Sequence, residues 1–175
     1  AFGFDTGTSL KVDGVTYTFP VGGATMVVGD ATDISATFTG ACAYSSFTDY
    51  TPDDCGTGNS LGVGGKGVTA TLGYAFDSGF SLAGGVSSTS TDILGNSADI
   101  FGVEAAYNAD GYGVAVAYVT DDGGASADTT YWGVNGFYTF DLASLSVGFE
   151  TSDDGTEKSG YFVGLSFPEV GPGSV

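Results

Sequence analysis

The stretch VTATLGYAFDSGFSLAGGV, residues 68–86, decides the fold class of this chain. Side chains alternate through it, so that Val68 and Leu72 share one face while Thr69 and Thr71 share the other. A period of two is typical of a β-strand, in which successive side chains point to opposite sides. Asp-Ser-Gly interrupts the alternation with turn-forming residues. The stretch therefore predicts a β-hairpin with one apolar face.

This hairpin recurs along the chain. Its turn aspartates, Asp77, Asp110 and Asp141, follow one another at spacings of 33 and 31 residues, which makes a hairpin of about 32 residues the structural repeat. Nine strands can be counted in all, and at least six of them have about ten residues, the length that a tilted strand needs to cross a bilayer. Strands of soluble domains are usually nearer five or six residues.

Short turns alternate with longer polar connections, which we expect at residues 88–99, 121–129 and 152–159. The longest insertion, 30–66, separates the N-terminal hairpin from the rest. Short turns on one side and long acidic loops on the other are typical of bacterial outer-membrane barrels.

Aromatic residues cluster where the apolar face meets the strand ends, as the interfacial girdles of a membrane barrel do. The predicted girdle residues are Phe19, Phe76, Phe80, Tyr107, Tyr112, Tyr118, Trp132, Tyr138, Phe140, Phe149 and Tyr161. The opposite face consists of small and polar residues and suits a wet lumen. The pore-lining candidates on it are Glu104, Asn108, Asn135, Ser146, Glu150, Thr69 and Thr71.

Two of these candidates are carboxylates, Glu104 and Glu150. In a hydrated lumen they would attract cations. The alternative is that hydroxyl groups of a neighbouring strand satisfy them, with no effect on transport.

Composition excludes several functions. The chain has 175 residues, with Lys+Arg 3 against Asp+Glu 21, no His and a formal net charge of −18. Such a chain cannot neutralise a phosphate backbone, so nucleic-acid binding is excluded. Without His, and with two Cys, it offers no His-based acid–base pair, catalytic triad or zinc site. We therefore expect neither an enzyme nor a cofactor or bound metal.

Cys42 and Cys55 lie inside the long insertion and predict a disulfide, which implies an oxidising compartment. The bridge would stiffen a loop that folds into or over the pore. The other interpretation is an exposed loop that the bridge protects from proteolysis.

The fold prediction is an all-β, antiparallel transmembrane β-barrel over residues 1–175, built as one domain. Because single-chain bacterial barrels have an even number of strands and leave no edge, a count of nine predicts a segment of a larger porin-like barrel. The predicted function is passive diffusion of inorganic ions and small hydrophilic solutes through the bacterial outer membrane, with cations favoured and membrane lipid as the partner.

Two stretches resemble a known family. Phe4-Asp5-Thr6 is similar to the segment that opens the barrel of cyanobacterial outer-membrane porins, which carry an S-layer homology domain before the barrel. The runs 17–22 (Tyr-Thr-Phe-Pro-Val-Gly) and 25–29 (Thr-Met-Val-Val-Gly) resemble that family's early hairpin. The resemblance implies an outer-membrane channel of the iron-uptake or carbohydrate-porin type and a homotrimer.

The sequence also departs from that family. The S-layer homology domain is absent, no Arg lies in any strand, and residues 4–10 are too short for the strand expected there. The departures leave the pore size and the handling of anions open.

The sequence leaves two alternatives open. The first is a secreted, self-associating β-rich subunit of a surface layer or fibre, whose acidic loops, such as 121–128 and 153–157, would bind Ca²⁺. The second is a hydrolase with paired carboxylates, which requires Glu104 and Glu150 to lie close together in a cleft.

Overall fold

The computed structural model describes residues 14–30, 32–43, 67–88, 99–123 and 127–167. They form one antiparallel sheet of nine strands that follow one another in sequence order, β1 to β9. The strands are Val15–Val21 (β1), Ala24–Asp30 (β2), Val68–Ala75 (β3), Phe80–Ser88 (β4), Asp99–Ala109 (β5), Tyr112–Asp121 (β6), Thr129–Thr139 (β7), Ser144–Asp153 (β8) and Glu157–Ser166 (β9). The all-β, antiparallel prediction is confirmed, and the meandering sheet is consistent with part of a porin-like barrel.

Strand lengths also agree with the sequence. Strands β4 to β9 have between 9 and 11 residues, whereas β1 to β3 have 7 or 8. The hairpin turns on one side, called the turn side, are short. Two residues connect β1 to β2, with Gly22 and Gly23 at φ 56° and 94°, and Gly111 at φ 85° completes the turn between β5 and β6. A positive φ explains the glycine at each position.

The opposite side of the sheet, called the loop side, corrects one expectation. The predicted long connection at 152–159 is a turn of three residues, because β8 continues to Asp153 and β9 begins at Glu157. Gly155, at φ 94°, lies within this turn. Polar side chains do not end a strand as long as its backbone remains paired, and here the pairing extends to Asp153 opposite Glu157.

The strands are staggered. One row of directly paired residues crosses the sheet through Thr25, Gly73, Ala83, Glu104, Ala117, Gly133, Glu150 and Gly160. The row passes β2 one residue from its turn-side end, but it passes β8 only three residues from its loop-side end. Such a drift is the shear by which tilted strands close into a barrel.

The two faces of the sheet differ in exposure. On the outer face large apolar side chains are exposed, for example Val103 at 57% and Val163 at 67%. On the inner face small and polar side chains are buried, for example Thr69 at 0% and Ser146 at 0%. This arrangement is the inverse of a water-soluble sheet, which buries its apolar face.

Residues 32–43, which we call the strap, lie against this inner face. It begins just after β2 and contains a 3-10 helix, Ile34–Thr37, which contacts β2, β3, β4 and β5. Residues 38–43 then have no regular secondary structure. Within the described ranges, no helix is long and apolar enough to cross a membrane.

Candidate functional site

The strap is hydrogen-bonded to the inner wall at every second residue of its second half. In each bond a backbone N–H of the strap donates to a side-chain oxygen of a wall strand. The bonds join Thr39 N to Glu104 Oε1 on β5, Ala41 N to Asn135 Oδ1 on β7 (2.7 Å) and Ala43 N to Ser146 Oγ on β8 (2.9 Å). The strap therefore crosses the strands and does not pair with any one of them.

A second anchor holds the beginning of the strap. The hydroxyl of Thr69 lies 2.6 Å from the carbonyl oxygen of Thr32 and 2.8 Å from the hydroxyl of Ser87. The hydroxyls of Thr16 and Thr32 are 2.7 Å apart. Hydroxyls of β1, β3 and β4 thus fix the point at which the chain leaves the end of β2 and turns toward the inner face.

Apolar contacts fix the strap between these anchors. Ile34 is fully buried and packs with Ile100 and Val119, with Phe38 and Tyr131 beside them. The sequence predicted only small and polar residues on the inner face, so these apolar side chains correct that expectation. The period-two alternation does assign Ile100 and Val119 to the inner face. A strand pattern does not, however, indicate which element covers them.

A second small cluster lies further along the strap. Ala41 is fully buried against Ala106 and Ala115, and Phe137 packs against the three. The alanines of β5 and β6 let the strap backbone approach the wall closely. Ala41 is therefore held both by this contact and by its hydrogen bond to Asn135.

Glycines form the closest part of the strap's seat. A Cβ at Gly73 would lie 2.9 Å from the backbone oxygen of Thr37, and one at Gly102 would lie 3.2 Å from both Ile34 Cδ1 and Phe38 Cζ. A glycine within a strand commonly marks the close approach of another segment. Glycines at inner-facing strand positions were therefore a sign of a covering segment. The alternation of apolar and polar residues does not reveal this sign.

All seven predicted pore-lining residues occupy inner-facing positions of their strands, but six of them are buried. The exposed fractions are 4% for Glu104, 4% for Glu150, 3% for Asn135, 1% for Thr71 and 0% for Thr69 and Ser146, while Asn108 is half-buried. Glu104, Asn135 and Ser146 accept hydrogen bonds from the strap. The sequence pattern therefore identified these residues, but it did not predict that they would bind the strap.

The two wall carboxylates are not neighbours. Glu104 and Glu150 share one row of paired residues, with Ala117 and Gly133 between them. Three strand spacings separate them by about 14 Å along the sheet. That distance is too large for the carboxylate pair of a glycosidase, so the hydrolase alternative is wrong in its structural requirement.

The aromatic residues form a nearly continuous series along the turn side of the outer face. Ring centroids are 4.6 Å apart in Phe80 and Tyr107, 5.9 Å in Tyr107 and Tyr112, and 4.8 Å in Tyr138 and Phe140. Tyr112 is paired directly with Tyr138. Phe76 contacts Tyr74 at the neighbouring turn, at 4.7 Å.

Aromatic residues toward the loop side are less regular. Tyr118 and Trp132 contact each other at 4.6 Å. Phe149 and Tyr161, predicted near the loops, are paired with each other in the next row toward the turn side, because β8 and β9 extend further than expected. Phe19 lies on β1 beside Tyr17, at 5.2 Å.

Of the two cysteines in the predicted disulfide, only Cys42 lies in the part of the chain that the structure describes. No free cysteine occurs in the described part of the chain, which includes Cys42, but Cys55 lies outside it. The pairing stays a prediction. Among the described residues there is also no group of three or more His, Cys, Asp or Glu side chains that could hold a metal ion.

One ion pair stabilises the turn between β8 and β9. Lys158 Nζ lies 2.7 Å from Asp154 Oδ2, and both side chains are largely exposed. The hydrogen bond from Lys158 lowers the pKa of Asp154, with a smaller contribution from the backbone N–H of Thr156. The bond lies at the loop side, beyond the apolar part of the outer face.

Comparisons with known proteins bear on the fold alone. No protein family matches the sequence, and no curated protein matches it. Solved structures that resemble the chain include mutants of Rh. blastica porin. Two of them are each 16% identical over 95% of this chain and 71% of theirs, with TM-scores of 0.48 and 0.47. At this level of similarity, the fold described above rests on the chain's own strand pairing and burial.

Proposed function

We propose that the chain forms part of a water-filled outer-membrane channel of the porin type, which passes ions and small hydrophilic solutes by diffusion. One observation carries the proposal: the large apolar side chains of the sheet are exposed on one face, while polar side chains are enclosed on the other. In water this arrangement would destabilise the sheet, because exposing an apolar side chain to water costs free energy. In lipid the apolar side chains face an apolar environment, and this cost is absent.

Barrel closure agrees with the same proposal. Within a bilayer, unpaired backbone groups at a sheet edge find no water, so a spanning sheet must close on itself. The staggered register found from β2 to β9 is the geometry that closure requires. The outer-membrane location is an expectation from the alternation of short turns with long loops and from the family resemblance, and the trimeric state is an expectation from the resemblance alone.

The strap would narrow the lumen. It lies along the inner wall from β3 to β8 and buries Glu104, Asn135 and Ser146 beneath it. Solutes would therefore pass on the side of the strap that faces away from these residues. We propose that strap and wall together set the size limit for solutes.

The cation preference would come from the summed charge of the chain. Acidic residues outnumber basic ones by 21 to 3, and the turn and loop ends of the strands carry many of them. An excess of negative charge at a pore mouth concentrates cations there, and salt screens this effect. Glu104 and Glu150 are each 4% exposed, so we expect the mouth residues to contribute more than these two.

The test is the conductance of the full-length protein in planar bilayers under a KCl gradient. We expect stepwise conductance and a reversal potential whose sign indicates cation selectivity. The size of that reversal potential should decrease as total salt rises. Two matched variants test the contribution of single carboxylates. Asp122→Asn at the loop side should shift the reversal potential more than Glu150→Gln in the wall.

One outcome would overturn the channel proposal, and another would overturn only the argument from charge. Protein that stays soluble without detergent and yields no channels would favour a secreted β-rich subunit instead. Anion selectivity would refute the charge argument but not the channel. The secreted alternative has no support at present, because the described residues leave the apolar face without a second sheet packed on it.

A further inference from the structure

The outer face of the sheet carries a groove at a glycine of β7. Gly136 faces outward there, and its direct partners are Val114 on β6 and Val147 on β8. The groove around it has a volume of about 470 Å³. We call it the outer groove. The outward side chains that line it are those of Val114, Val134, Tyr138, Leu145, Val147 and Phe149.

Neighbouring side chains do not fill the space above Gly136. Apart from its chain neighbours, two atoms of the described residues lie within 4 Å of the position of a Cβ there, and both belong to the backbone: Gly113 O at 3.0 Å and Val114 Cα at 3.9 Å. Gly84, an outward glycine of β4, differs, because Val103 Cγ1 lies 3.5 Å from the corresponding position. A neighbouring side chain thus covers Gly84, whereas the surface above Gly136 is a depression.

The outer groove follows β7 from the aromatic girdle toward the middle of the sheet. Tyr138, at its turn-side end, contacts Phe140, with ring centroids 4.8 Å apart. Val134, at its other end, is paired directly with Val116 near the middle of β6. The four residue steps between Val134 and Tyr138 span about 13 Å. In a bilayer the outer groove would therefore run from the interface into the hydrocarbon core, as an acyl chain does.

Carboxylates flank the turn-side end of the outer groove. Tyr138 is paired directly with Tyr112. Asp110 lies in the turn before Tyr112, Asp141 lies in the turn after β7, and both are exposed. These carboxylates repel an anionic lipid head group, as does the net charge of −18, and they attract a head group that carries an ammonium.

We propose that the outer groove binds an acyl chain of one phospholipid whose head group carries a free ammonium, as in phosphatidylethanolamine. The proposal rests on the lipid-facing outer surface proposed above. Moving the chain from bulk lipid into the groove exchanges one apolar environment for another, so the hydrophobic effect contributes little. The preference comes from close packing above Gly136 and from the contact of the ammonium with Asp110 and Asp141.

Other occupants fit the outer groove less well. Stable protein–protein interfaces involve about 20–30 residues on each partner. The outer groove is confined to β6, β7 and β8 and has the size of a single extended chain, so it does not by itself provide an interface for a second copy. An extended peptide would bring unpaired backbone groups to an apolar surface, which costs free energy.

The experiment is native mass spectrometry of the full-length protein in detergent micelles, titrated with dioleoyl phosphatidylethanolamine or dioleoyl phosphatidylglycerol. The two lipids have the same acyl chains, so the comparison isolates the head group. We expect one molecule of phosphatidylethanolamine to remain bound, with a dissociation constant about tenfold lower than that of phosphatidylglycerol.

Matched variants test the position of the acyl chain. Gly136→Val places a branched side chain in the outer groove and should abolish retention of the lipid. Gly84→Val adds the same side chain to the outer face, also close to a backbone oxygen, which lies 3.3 Å from the Cβ position, and should retain the lipid. If Gly136→Val does not fold, Val147→Phe fills the groove from β8 and should give the same loss. Val103→Phe, beside Gly84, is its control.

A second pair of variants tests the head group. Asp141→Asn removes a carboxylate at the end of the outer groove and should reduce the preference for phosphatidylethanolamine over phosphatidylglycerol. Asp77→Asn makes the same change in the turn between β3 and β4, away from the groove, and should leave the preference unchanged.

Other results would overturn the proposal. Equal retention of several molecules of both lipids, unchanged in Gly136→Val, would indicate an unselective lipid shell. Masses of two or three copies that are lost in Gly136→Val would assign the outer groove to a second copy. Conductance of the same preparation separates this proposal from the channel proposal. Channels without selective lipid retention would refute the outer groove alone, whereas protein that stays soluble without detergent and retains no lipid would refute both.

Discussion

The two faces of β6 show how differently neighbouring residues of one strand are used. Val114 and Val116 point outward and are 47% and 42% exposed, whereas Ala115 and Ala117 point inward and are 1% and 3% exposed. The larger side chains are thus the exposed ones, and the smaller are buried. The outer face is shaped for a solvent that accepts apolar groups, and the inner face is shaped to leave room for another segment of the same chain.

The largest effect should follow from a change on the inner side. Ile34→Ala removes the fully buried side chain by which the strap packs against Ile100 and Val119. Deleting such a side chain costs about 2–5 kcal/mol, because a cavity remains. The measurement is the free energy of unfolding by denaturant, with the protein in lipid vesicles.

The control for that variant is Leu142→Ala. Leu142 is 82% exposed in the turn between β7 and β8, and exposed positions usually change stability by less than about 0.5 kcal/mol. Losses of similar size in both variants would mean that the strap contributes no more than an exposed turn.

A charge on the outer face tests the other half of the comparison. Val116 lies near the middle of β6, so Val116→Arg should place a guanidinium at the bilayer midplane and cost about 2–4 kcal/mol in vesicles. In a soluble protein the same change at a position 42% exposed would be nearly neutral. An unfolding free energy unchanged in vesicles would therefore contradict a lipid-facing outer surface.

Sequence reasoning predicted one face of this comparison and only part of the other. Period two is a local property of the backbone, so the outer-facing positions and the turns at Asp77, Asp110 and Asp141 could be read directly. The strap position depends on contacts between residues far apart in sequence, such as Thr39 with Glu104, 65 residues apart, and Ala43 with Ser146, 103 residues apart. No periodicity encodes contacts of that kind.

The candidate site shows the same limit. Glu104 and Asn135 are polar residues on a face of small ones, a pattern that predicts a functional role, and both accept hydrogen bonds from the strap. Their predicted role, contact with the aqueous lumen, assumed that nothing lies over them. The glycines of the strap's seat, Gly73 and Gly102, were the available sign of a covering segment, but glycines are frequent in this chain, with 31 in all.

A pair of glycines compares the two faces at a single residue type. Gly73 faces the strap and Gly84 faces outward, where a Cβ would lie 3.3 Å from the oxygen of Gly102. Gly73→Ala should cost about 1–3 kcal/mol, because its Cβ meets the backbone of Thr37. Gly84→Ala should change stability by less than about 1 kcal/mol, since reduced freedom of the unfolded chain offsets the close contact.

Both glycine variants can be measured together by denaturant unfolding in vesicles. Equal effects would mean that the strap can move away from β3 at little cost, and the seat would then not be a close-packed one. A larger loss for Gly84→Ala would reverse the comparison and would require the outer surface at β4 to be packed against another element.

The smallest effect belongs to the loop side, where the side chains of Lys158 and Asp154 are both exposed. The pKa of Asp154 is lowered mainly by its hydrogen bond to Lys158. A carboxylate whose pKa is lower in the folded than in the unfolded state stabilises the fold at neutral pH, and this contribution is lost as the pH falls through the folded-state pKa. Lys158→Met should therefore lower the unfolding midpoint slightly at neutral pH and leave it unchanged in acid. High salt should also reduce the difference, because the pair is exposed. A difference that persists in acid would instead assign the effect to the packing of the lysine stem on β8 and β9.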